Sequence, residues 1–94
     1  VGLARPLSGT LQAAETAARA MPEPPLCIDS ANVCAGQALL AWRAGELAAD
    51  GAGCGAIAAE LERLRPLTRT WAMARDLSHA VRGGRIPRWA QPIV

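Results

Sequence analysis

Apolar and polar positions alternate along the chain with two different periods, and prolines and glycines mark where one period gives way to the next. Val1 to Ala4 form a short apolar run, which reads as the end of a buried strand. Ser8 then stands in the N-cap position of a helix, with Gly9 and Thr10 in its first turn, and the helix continues to Ala20. Gln12, Glu15, Thr16 and Arg19 share one face, and the opposite face is nearly all alanine. Pro22, Pro24 and Pro25 stop this helix.

Leu26 to Asp29 is a short apolar run ending in an acid, the pattern of a buried parallel strand with Asp29 at its carboxyl end. After a loop over Ser30 to Val33, a second helix is expected from Cys34 to Ala49. Its polar stripe is narrow, Arg43, Glu46 and Asp50 with Gln37 apart, so burial on more than one side is expected. Gly51 and Gly53 end it. Ile57, Leu61 and Leu64 give the helical spacing of a third helix over Gly55 to Arg65, closed by Pro66. Thr68 to Ala74 alternates in strand fashion. Asp76 suits the N-cap of a short helix to Arg82, which Gly83 and Gly84 terminate, and Arg85, Ile86 and Pro87 follow in extended form. Strands alternating with helices predict an α/β layered fold, a parallel sheet with flanking helices.

Composition narrows this picture. With 94 residues the chain makes one domain at most, and 51% of it is apolar, mostly Ala and Leu. There is no Phe or Tyr, so three Trp supply all the aromatic bulk. A core of this kind closes through small residues, and a chain this short has a thin stability margin. The longest stretch without a charge, Ser30 to Trp42, falls short of the about 20 apolar residues a membrane span needs. The start lacks a signal-peptide pattern and an initiator Met, which reads as a piece of something longer.

All ten basic residues are Arg, and the formal charge of +2 hides an asymmetry. Residues 1–62 carry three Arg against seven acids, whereas residues 63–94 carry seven Arg against Asp76 alone. Such a tail suits an acidic partner, a phosphate or a nucleic acid, or is one side of a larger protein. No aromatic residues interleave with the arginines as a single-strand binder would require. The odd cysteine count, Cys27, Cys34 and Cys54, fits no metal or redox motif, and His79 is the single histidine. The cysteines read as small buried or half-buried residues of a reducing compartment, the cytoplasm, with no metal and no cofactor expected.

Ligands of open α/β sheets bind beyond the carboxyl ends of the strands. Three segments would meet there: Ser8-Gly9-Thr10, Asp29-Ser30 and Arg75-Asp76. The first combines helix N–H groups, two hydroxyls and a glycine that admits close approach, which suits a carboxylate or phosphate. An ordinary capped helix has the same spacing. Asp29 and Ser30 fit a pocket rim or a loop anchor. The Gly83-Gly84-Arg85-Ile86 turn presents a guanidinium fork to an anion or simply closes a helix. No Walker loop, dinucleotide fingerprint or catalytic triad is present, and His79 has no neighbouring nucleophile.

Taken in order, Leu7-Ser8-Gly9-Thr10, the Ala-rich helix, Ile28-Asp29-Ser30, Gly36 before an Ala/Leu helix, Asp76-Leu77 and Gly83-Gly84-Arg85-Ile86 resemble the DegV family along nearly the whole chain. The resemblance implies a central fragment of a two-domain α/β protein. Residues 1–82 would form part of its N-terminal domain and residues 83–94 the start of the connection to a second domain. It further implies lipid binding in a bacterial cytoplasm: a long-chain fatty acid whose carboxylate is presented to a separate fatty acid kinase subunit for phosphorylation. Ser8, with Gly9 and Thr10, would hold the carboxylate. Arg85, with Asp29 and Ser30, would lie at the pocket rim or the partner surface. On this reading the chain is a binding subunit and not an enzyme, has no nucleic-acid partner, and self-associates where apolar surface is left open. It departs from the family's usual pattern at Arg5-Pro6, where a serine pair is frequent, at Leu11, and at Ser78, His79 and Ala80. The alternatives are a phosphate-binding enzyme fragment using the Ser8-Gly9-Thr10 turn and an Arg-rich nucleic-acid-binding module.

Overall fold

The computed structural model describes residues 1–93. Its elements are α1 (Thr10–Arg19), α2 (Cys34–Ala49), α3 (Cys54–Leu64), a 3-10 turn over Arg65–Leu67, α4 (Ser78–Arg82) and a second 3-10 segment over Arg88–Ile93. The helices fall within a residue or two of where periodicity and breakers place them, but the N-cap of α4 is Leu77 and not Asp76, and no side chain caps it. Pro66 extends α3 by one 3-10 turn rather than ending it outright, because proline is tolerated in the first turn of a helical segment.

The expected parallel sheet is absent from the described residues. In its place there is a single parallel bridge between Gly2 and Asp29. The Gly2 N–H donates to Ile28 O (2.8 Å), Ser30 N–H to Gly2 O (3.1 Å) and Ala4 N–H to Asn32 O (2.9 Å). The two segments therefore run side by side, but Ala31 turns into the left-handed region at φ 51° and interrupts the extended conformation. Polar side chains then take over the bonds a ladder would make. Ser30 Oγ donates to Asn32 O and accepts from Asn32 N–H (2.9 and 3.1 Å), and Asn32 Nδ2 donates to Thr68 O (3.2 Å). Thr70 Oγ1 lies 2.9 Å from Asn32 Oδ1 and 3.1 Å from Val33 O. Short polar side chains of this kind compete with backbone pairing, which accounts for the lost sheet. The segment 68–74 is consequently no strand. Trp71 is 87% exposed and Met73 99%.

α2 also differs from expectation. It buries one stripe through Gly36 and Leu40, while Leu39 and Trp42 face solvent. Its first turn lies tight on the Asn32–Thr70 cluster: a Cβ at Gly36 would fall 2.6 Å from Asn32 Oδ1 and collide with Thr70 Oγ1. α3 returns along α2, with Leu40 and Leu61 almost wholly buried and Arg43 Nε 3.8 Å from Glu60 Oε1 across the pair. Cys34 and Cys54, expected at least half-buried, are exposed, and only Cys27 is partly covered.

The buried apolar set among the described residues is small: Ala4, Leu11, Ala18, Leu40 and Leu61. The radius of gyration is 15.7 Å, against about 12 Å for a well-closed domain of this length. The arrangement is open, 48 × 29 × 17 Å, and its shape owes as much to polar anchors as to a core. In the expected connection over 83–94, Val94 lies outside the described residues.

Candidate functional site

Two turns far apart in sequence form one cleft. The first precedes α1. Ser8, expected at the N-cap, sits one residue before it; Gly9 holds that position, and α1 has no side-chain cap. The Ser8 hydroxyl instead accepts from the Thr10 N–H at 3.2 Å and lies 2.7 Å from Thr10 Oγ1. A short hydroxyl pair therefore stands over the first turn of α1, whose leading N–H groups have no intrahelical acceptor. The positive end of the helix dipole lies below it.

The second turn closes α4. The Gly84 N–H bonds to Val81 O (3.0 Å) and the Arg85 N–H to Ala80 O (2.9 Å). This is a Schellman closure, and it requires the left-handed backbone that Gly84 supplies at φ 77°. The Arg85 side chain then reaches back across the cleft. Its Nε–H donates to Leu7 O (3.2 Å) and its Nη1 to Gly83 O (2.7 Å). No described carboxylate lies within ion-pair distance of it. The cleft, about 270 Å³, is lined by Arg5, Ser8, Gly9, Gly83, Gly84 and Arg85, with Pro6 and Leu7 between. Beyond Thr10 a second hollow of about 380 Å³ opens among Val1, Leu3, Leu11, Ala14 and Leu26. Ser8 thus lines a polar cleft, and Thr10, bonded to it, lines a largely apolar hollow.

The structure brings Ser8, Gly9 and Arg85 into one cavity, with Thr10 on its border. Asp29 and Ser30 are placed elsewhere. Ser30 is buried to 1% exposure and its hydroxyl is committed to the Asn32 backbone. Asp29 Oδ1 accepts from the Ala31 N–H (2.8 Å), and its Oδ2 lies 3.5 Å from Arg5 Nε. Both act as loop anchors behind the cleft. Asp76 accepts from the Ser78 N–H and hydroxyl (2.9 Å each), and the backbone bond foremost holds its carboxyl below the usual aspartate range. His79 is exposed with Nδ1 3.3 Å from Arg82 Nη2. Within the basic tail, Arg63 pairs with Glu60, Arg65 contacts Asp29 O and Glu62, and Arg82 contacts Ser78 O. Several of its charges are therefore spent locally.

Arg5 is the cleft residue to which sequence reasoning gave no role. It pairs through both Nη atoms with Glu15 of α1, Nη1 at 2.8 Å from Oε2. The hydrogen bond from Arg5 foremost holds the Glu15 carboxyl below its ordinary range. Its partners stand ten and twenty-four positions away in sequence, so no local spacing announces the cluster.

Among the described residues no group of His, Cys, Asp and Glu could hold a metal ion, and no helix is long and apolar enough to cross a membrane. The family model described as "Uncharacterised protein, DegV family" matches residues 1–94. No curated protein and no solved structure matches the chain.

Proposed function

The chain belongs to the DegV family, a family associated with fatty-acid binding, and from there we propose that it binds a long-chain fatty acid with the carboxylate at the Ser8–Thr10 hydroxyl pair. The observation that carries this reading is the contact of Arg85 with Leu7 O, which puts a guanidinium in the cleft that Ser8 and Gly9 line. Hydroxyl, N–H and guanidinium donors around one cleft suit a carboxylate, and bonds to a charged group are the strong ones. The apolar hollow beyond Thr10 supports the same reading. An alkyl chain leaving the carboxylate in that direction gains about 0.8 kcal/mol for each methylene removed from water.

In this reading the chain works in the cytoplasm as a carrier. The carboxylate, seated at an open turn, is presented to a separate kinase subunit that phosphorylates it, and this chain supplies binding and orientation without a catalytic group.

The test is native mass spectrometry of the purified chain, followed by denaturing extraction and identification of the lipid. A stoichiometric fatty acid, lost in Ser8→Ala, is the expected result. Protein that is empty and takes up neither oleate nor palmitate overturns the reading.

A further inference from the structure

We infer that Arg5 is a positioning residue of the cleft: clamped between Glu15 and Asp29, it fixes the 5–9 turn so that the Ser8–Thr10 hydroxyls face Arg85. The inference rests on the fatty-acid reading above.

All three guanidinium nitrogens of Arg5 are engaged. Nη1 and Nη2 hold the two Glu15 oxygens, and Nε approaches Asp29 Oδ2 at 3.5 Å. The pair with Glu15 is bidentate, the geometry that fixes an arginine most firmly. Two carboxylates outweigh one guanidinium, so the cluster carries net negative charge and does not itself attract a ligand carboxylate. What it does is mechanical. Glu15 lies on α1 five residues beyond Thr10, and Asp29 lies on the segment bridged to Gly2. Arg5 therefore ties the turn, the helix and the neighbouring segment together. Pro6 adds a fixed φ immediately after it. At the far end of the same turn, Leu7 O is the acceptor that holds Arg85. A turn that shifts carries both the hydroxyl pair and this acceptor with it. The depressed Glu15 carboxyl is a consequence of the same clamp.

The test compares oleate with oleyl alcohol, which has the same tail and no charge. In Arg5→Gln the oleate affinity falls by about tenfold, the size of one badly placed bond to a charged group, and the oleyl alcohol affinity holds. A general loss of structure would weaken both ligands alike. Glu15→Gln lowers oleate affinity in the same direction, because it releases the clamp. Were Arg5 itself the ligand's partner, releasing it from Glu15 would tighten oleate, and that result overturns the inference. A ligand-free measurement runs beside these. Amide exchange at Leu7 and Thr10 rises in Arg5→Gln while that of Leu40 in α2 stays slow. Unchanged exchange at Leu7 and Thr10 overturns the positioning role. Wild-type protein that ignores oleate overturns the fatty-acid reading instead, and the exchange result still decides the role of Arg5 in the turn.

Discussion

The two walls of the cleft are held by different means. The Gly83-Gly84-Arg85 wall has a locally built backbone: a Schellman closure within six residues sets it, while the Arg85 side chain is aimed by its own bond to Gly83 O and by the one distant bond to Leu7 O. The Ser8-Gly9-Thr10 wall is not built locally. Its serine caps no helix, and the turn owes its position to an arginine that draws partners from α1 and from the segment beside Gly2. A locally built wall survives loss of its side chains, whereas a wall held from a distance moves when one anchor is cut.

The strongest way to sharpen that contrast is to remove the groups proposed to hold the carboxylate. Ser8→Ala and Arg85→Ala should each weaken fatty-acid binding by about 1.5–3 kcal/mol, the cost of a lost bond to a charged group, read by titration calorimetry. Arg85→Ala should leave the melting temperature nearly unchanged, since the backbone closure around Gly84 does not need its side chain. A large drop in melting temperature would show that this wall, too, depends on the side chain.

Breaking the local wall is the next test. Gly84→Ala places a Cβ at φ 77° and should cost about 1–2 kcal/mol, seen as a lower denaturant midpoint together with weaker ligand binding. An equally stable variant would mean that the closure can re-form without a left-handed residue.

Smaller effects come from the anchors of α4. Asp76→Ala removes the acceptor for the Ser78 N–H and hydroxyl. It should loosen α4 slightly, raising amide exchange there while the Arg5 clamp and exchange at Thr10 stay unchanged.

Acid should have the smallest effect at first, and its part at the Ser8 wall should run through Glu15. The Glu15 and Glu60 carboxyls are lowered from 4.5, chiefly by hydrogen bonds from Arg5 and Arg63, and Asp76 is lowered from 3.8, chiefly by the Ser78 backbone. Groups depressed in the folded state contribute stability that is present above their unfolded values and is lost as pH falls through the folded ones. Melting temperature should therefore be flat above pH 4.5 with respect to these groups and decline below it. In Glu15→Gln that acid decline should be shallower, and an unaltered profile would show that the clamp adds no stability.

Local signals carried the sequence reading as far as the helices. Proline and glycine punctuation set the ends of α1 and α2, the spacing of Ile57, Leu61 and Leu64 marked α3, and the glycine pair after Arg82 marked the closure that presents Arg85. The Ser8-Gly9-Thr10 turn was legible as a donor cluster, although not as the uncapped hydroxyl pair it forms. The sheet misled because alternation in Thr68 to Ala74 and an apolar run at Leu26 to Asp29 speak of strands only when partner strands are available. Here the Ser30, Asn32 and Thr70 side chains bond Asn32 N–H, Thr68 O and Val33 O, backbone groups that such pairing would use. α2 misled in the same sense, since an apolar circumference at Leu39 and Trp42 states a preference that no described neighbour meets.

By itself, then, the sequence determined what depends on neighbours within a turn or two: where helices start and stop, which residue must be glycine, and which turns offer donors. Only the tertiary structure decided that Arg85 meets Leu7, that Arg5 reaches Glu15 and Asp29, and that Asp29 and Ser30 serve the loop rather than the cleft. The reason is physical. Helix propensity and capping act through bonds between near neighbours, whose geometry the backbone already fixes. Ion pairs and side-chain hydrogen bonds across tens of residues depend on where the chain returns to itself, and no spacing in the sequence encodes that distance.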